Sequence, residues 1–178
     1  MLRGFYINAL FVLLAGVLAC SAGEITVSFT FDSSQLSYAS ISNYTQVYLQ
    51  DGVLPEDAPG APWLPARYVN ILLPDGAQAL SLKSAAKETL VSSGVAVYPA
   101  QPPQPLSAGP AAFTPPDPAF YSLASRWPSR PAEMIETHSL RGYSFVSVRL
   151  NPVRYEPAAQ NLYLAAQLSV TVYYDDST

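Results

Sequence analysis

Hydrophobic and polar positions alternate along several stretches of this chain, most clearly near its end. Over residues 164–174 the even positions are Leu164, Ala166, Leu168, Val170, Val172 and Tyr174. Ala165, Gln167, Ser169, Thr171 and Tyr173 stand between them. Successive side chains of an extended strand point to opposite faces, so this run predicts a strand buried on one face. Val146, Val148 and Leu150 alternate with Ser147 and Arg149 in the same way. The two runs predict two long strands joined by a connection that contains proline and is bounded by asparagine. Near the other end, the ITVSFTF of residues 25–31 predicts a first strand, and residues 44–49 a weaker one. Residues 67–73 (RYVNILL) predict another, closed by Pro74-Asp75-Gly76, where glycine supplies the positive-φ position of a turn.

Residues 79–87 and 88–98 are expected to pair with each other as the next two strands, although Ala85, Ala86 and Lys87 favour helix. Two proline-rich stretches interrupt the pattern. Residues 52–65 hold four prolines, and residues 99–118 hold eight in twenty. Proline cannot donate to a strand ladder, so both read as extended loops; the second is expected to cross between sheets or to form a stiff contact arm. A short helical turn is expected over residues 120–127, before Pro128. Short strands, Pro/Gly turns and almost no helical periodicity predict an all-β fold: an antiparallel β-sandwich of about seven or more strands with Pro-rich crossover loops.

The first residues change the picture in a different way. Arg3 precedes an apolar run over residues 9–18, and small residues follow. This is the layout of an export signal, with cleavage expected after Ala22, so residues 1–22 are assigned as signal peptide and 23–178 as one domain. The alternative is a lipobox at Val17-Leu18-Ala19-Cys20 with Cys20 lipidated. Cys20 is the single cysteine, and either route removes its thiol from the mature domain. The expected location is periplasmic, cell-surface or extracellular. A net charge of −4 without a Lys/Arg cluster argues against nucleic acid as a partner.

Candidate chemistry is sparse. His138 is the only histidine and reads as an ordinary strand-edge or turn residue. No set of ligands for zinc is evident, and no catalytic residue, metal or cofactor is assigned. The acidic pairs Glu56-Asp57 and Asp175-Asp176 read as solvated loop or terminal charges. Tyr38, Tyr44, Tyr48, Tyr68, Tyr121, Trp127 and Tyr155 read as exposed aromatics. They leave open a stand-alone secreted module that binds carbohydrate or a cell-surface partner.

Taken in order, however, the motifs resemble a known family. Gly60-Ala61-Pro62-Trp63-Leu64-Pro65 precedes a strand ending Leu73-Pro74-Asp75-Gly76-Ala77, and Tyr98-Pro99 opens a proline crossover. Asp117 to Tyr121 leads to Trp127-Pro128, Leu140-Arg141-Gly142-Tyr143 follows, and Pro152-Val153-Arg154-Tyr155-Glu156-Pro157 precedes the last strand. This series resembles the prodomains of gingipain-type cysteine peptidases. Glu156 and Gln160 depart from it, standing where asparagine and a turn glycine are usual. The resemblance implies a non-catalytic prodomain that keeps its peptidase latent and assists its folding, with the gingipain-like catalytic domain as its partner. Gingipains cleave after Arg or Lys, which makes Arg126 and Arg130 candidate plugs for the specificity pocket, stiffened by Pro128 and Pro131.

Overall fold

A computed structural model describes residues 22–175, apart from residues 106, 108, 110 and 111. Of the expected signal segment only Ala22 falls within these; the rest, Cys20 included, lies outside the described residues, as does Asp176. The strands are β1 (Ala22–Thr30), β2 (Leu36–Ile41), β3 (Tyr44–Leu49), β4 (Arg67–Leu72), β5 (Gln78–Ser92), β6 (Ala132–Leu140), β7 (Tyr143–Leu150), β8 (Val153–Glu156) and β9 (Asn161–Asp175). One helical turn, α1 (Pro118–Tyr121), is capped by the Asp117 carboxylate, which accepts from the Ala119 amide at 2.8 Å.

The alternating final run forms β9, the central strand of the larger sheet. β5 pairs antiparallel along one side of β9, from Gln78 opposite Asp175 to Ser92 opposite Leu162. β1 takes the C-terminal half of the other side and β8 the N-terminal end of that side. A second antiparallel sheet has the order β4-β7-β6, and β2 and β3 form a separate hairpin. Leu164, Leu168, Val170 and Val172 of β9 meet Ile71, Val146, Val148 and Leu150 of the second sheet in one apolar cluster. Val47 and Leu49 of β3 join it, and the result is the expected antiparallel sandwich.

Several elements differ from expectation. Residues 79–87 and 88–98 do not pair with each other: β5 runs through both halves as far as Ser92, with bulges at Ala79/Ser81, Lys87/Glu88 and Leu90/Ser92. No turn-forming residue separates Lys87 from Glu88, and fifteen-residue β9 offers a partner long enough for an uninterrupted strand. The two long late strands, β7 and β9, lie in different sheets, with β8 between them in sequence. β2 and β6 were not anticipated, since neither has a continuous alternating pattern. The helical turn precedes its expected place because Pro118 fits the first helical position and Asp117 caps it. Arg141 and Gly142 both adopt positive φ, at 51° and 86°, the geometry of the two-residue turn that suits the twist of a hairpin. Among the described residues, no helix is long and apolar enough to cross a membrane.

Candidate functional site

The segment RWPSRP (residues 126–131) leads from α1 toward β6 along the flank of β8. Its two prolines lack amides, so its backbone cannot build a ladder of its own. β8 and the connection that precedes it hold it instead. The Trp127 carbonyl accepts from the Tyr155 amide at 2.7 Å, and the Trp127 amide donates back to the Tyr155 carbonyl at 2.7 Å. Arg154 donates through Nε to the Pro128 carbonyl and through Nη2 to the Ser129 carbonyl, both at 2.8 Å. Asn151 donates through Nδ2 to the Arg130 carbonyl at 3.0 Å and through its amide to the Pro131 carbonyl at 2.8 Å. Every carbonyl from Trp127 to Pro131 therefore has a donor in residues 151–155. Asn151 is 1 % exposed, so its amide group is spent on this task inside the protein. The Trp127-Pro128 peptide is cis.

Electrostatics fasten the start of the segment. Glu88 of β5 accepts from Nη1 of both Arg126 and Arg154, the latter at 2.8 Å. The Glu88 side chain is 7 % exposed and that of Arg154 13 %, so this pair is largely withdrawn from water. Burial, and then the neighbouring Arg126, lower the pKa of Arg154 from its ordinary value. The Arg126 guanidinium also lies over the Tyr163 ring, 3.8 Å from its centroid. Trp127 packs edge-on against Phe120 with centroids 4.8 Å apart.

The two arginine candidates thus occupy different settings. Arg126 is half-buried and paired to Glu88 within the domain. Arg130 is exposed, on a segment whose backbone is fixed on both sides of it, at the margin of an open 850 Å³ cleft between β5 and β6. Sequence reasoning missed the residues that hold the loop. Arg154 was visible only as part of a motif and Asn151 only as the asparagine bounding a connection, and Glu88 lies 38 residues from Arg126.

The other candidates separate. His138 stands in edge strand β6, stacked on Phe145 at 5.2 Å, with Glu136 at 3.8 Å. Asp57 is no solvated loop charge: it is largely buried and receives Arg149 in a two-pronged contact at 2.9 and 3.1 Å. Tyr155 is not exposed either. It is 1 % exposed and donates to the Val95 carbonyl at 2.6 Å, while half-buried Tyr121 donates to that of Val97 at 2.6 Å. Tyr38, Tyr48 and Tyr68 are exposed as expected. Among the described residues, no group of three or more His, Cys, Asp or Glu is placed to hold a metal ion.

A family model described as Propeptide_C25 matches residues 17–178. The fold is similar to that of a chain in a complex of Porphyromonas gingivalis RgpB pro- and mature domains. The TM-score is 0.68 at 17 % identity, covering 84 % of this chain and 77 % of that one. It is also similar to a chain from a study of the zymogenic latency of gingipain K from Porphyromonas gingivalis. There the TM-score is 0.68 at 18 % identity, with 89 % and 94 % covered. No curated protein matches the chain in sequence.

Proposed function

The chain belongs to the C25 propeptide family, the propeptides of gingipain-type cysteine peptidases, and from that premise we propose that it keeps such a peptidase latent through the held segment 126–131. It is a non-catalytic part of an exported bacterial precursor. We place the mature form in the periplasm, at the cell surface or outside the cell, after removal of residues 1–22 or lipidation of Cys20. The partner is the catalytic domain, bound first in cis and later as a cleaved complex, and the propeptide also assists its folding. Covalent attachment gives an effective concentration of about millimolar, so a modest interface suffices while the two remain joined.

The observation that carries this reading is the row of donors behind residues 127–131. A loop that enters a protease cleft is cut when its backbone can move into reacting geometry, and it resists when ordering was completed on folding. Arg130 is the exposed basic side chain on that loop, of the kind a peptidase specific for Arg or Lys accepts. Arg126 is the second candidate, and it reaches a pocket only by leaving Glu88.

Inhibition of the precursor's peptidase domain by the added chain tests this. Arg130→Ala is expected to weaken inhibition at least tenfold, and Arg126→Ala by less. An Arg126→Ala/Arg130→Ala chain that inhibits as well as the parent would sink the plug.

A further inference from the structure

The two outer faces of the sandwich are chemically unlike. On the larger sheet, Thr26 faces Thr171 with their hydroxyls 2.8 Å apart, Ser28 faces Ser169, and Lys83 and Lys87 lie opposite Thr171 and Gln167. That is an ordinary solvated face. The outer face of β4-β7-β6 is apolar at one end. Leu72 of β4 and His138 of β6 flank Phe145 of β7 from either side, and Leu140 lies opposite Tyr143. Leu72, Leu140 and Tyr143 are 60 %, 62 % and 66 % exposed. Scattered apolar residues need no explanation, but cross-strand neighbours gathered on one face form a contiguous patch. Beside it lies an open depression of 480 Å³ between Leu73, Asp75 and Arg141, wide enough to take a side chain from a partner.

We infer that this end of the β4-β7-β6 face is a docking surface for the peptidase domain, separate from the segment 126–131 that would enter its cleft. The inference rests on the propeptide reading. What selects this occupant is where β9 ends. Asp175 pairs with Gln78, which follows Leu72 by six residues, so at most about 22 Å separates Leu72 from Gln78, and the end of β9 lies one strand spacing of about 5 Å further. If the peptidase domain follows β9 in the precursor, it is delivered beside the patch at high effective concentration. The division of labour follows: an apolar face supplies affinity that does not depend on catalytic-site chemistry, and the loop supplies latency.

The test uses the chain and the precursor's peptidase domain with its catalytic cysteine alkylated, so that binding is read without turnover. A Leu72→Ser/Leu140→Ser/Tyr143→Ser chain is expected to bind at least about tenfold more weakly, with an unchanged melting temperature. Lys83→Ser/Lys87→Ser, on the opposite face, is expected to bind as the parent does. Tyr143→Lys alone repeats the measurement if the triple replacement fails to fold. Parent-like affinity in the face variants overturns the docking surface and leaves the propeptide reading intact. A parent chain that neither binds nor inhibits overturns both. A dimer abolished by the face replacements, with peptidase binding retained, assigns the patch to a second copy of this chain and overturns the proposal.

Discussion

Tyr155 shows how one residue couples the core to pH. Burial raises the pKa of its phenol, and burial followed by the proximity of Tyr155 and Tyr44 raises that of Tyr121. In the unfolded chain both phenols ionise near 10. Above that pH the unfolded chain sheds protons that the fold retains, so the equilibrium moves toward unfolding. Their contribution is fully present below pH 10 and is lost as pH rises through the folded pKa values. The melting temperature is accordingly expected to stay level between about pH 7 and 9 with respect to these groups and to fall above pH 10. Tyr155→Phe should cost about 1–2 kcal/mol at neutral pH, because the Val95 carbonyl loses its donor, and should flatten the alkaline decline. The burial of Tyr155 was not legible: in sequence it reads as one of the exposed aromatics, in a connection, and only the pairing of β8 with β9 turns it inward beside Val153. Gln160 was legible. It adopts φ 53° at the turn between β8 and β9, where the family resemblance anticipates glycine.

Among elements, the segment 126–131 behaves as part of β8 and of its connection to β7 rather than as a free loop. Its anchoring depends on one carboxylate that serves two arginines. Removing the charge of Glu88 leaves Arg154 largely buried without its counter-ion, although Arg154 keeps two carbonyl acceptors. Glu88→Gln is therefore expected to destabilise the domain by about 2–3 kcal/mol in chemical denaturation and to expose the Arg126 and Arg130 peptide bonds to limited proteolysis. Arg126→Ala, at the more exposed end of the same cluster, is expected to cost about 1 kcal/mol or less. A Glu88→Gln chain as stable as the parent would remove the carboxylate from this account. None of the pairing was readable in the sequence. Glu88 stands 66 residues from Arg154, and only the pairing of β5 and β8 with opposite sides of β9 brings the two together.

At the scale of the molecule, β9 carries the fold. Leu168 is fully buried and lies opposite Phe29 of β1 on one side and Ala86 of β5 on the other. Leu168→Ala is expected to cost about 3 kcal/mol, a fall in melting temperature of roughly 6–12 °C. Leu72→Ala, on the exposed face, should change stability by no more than about 0.5 kcal/mol. Scanning calorimetry of the two variants separates residues that hold the sandwich from residues it displays.

The alternation of residues 164–174 determined a half-buried strand, because a period of two leaves one face apolar whatever the partner. The same logic gave β1, β3, β4 and β7, and turn chemistry at Pro74-Asp75-Gly76 ended β4 close to its true limit. The order of short motifs carried the family. Tertiary structure alone decided that β5 is one strand, since only a partner as long as β9 makes continuity preferable to a hairpin. It also decided which arginine is displayed and which is paired, and which sheet face stays apolar in water. Those outcomes depend on what each residue meets across the sandwich, and sequence spacing holds no measure of that distance.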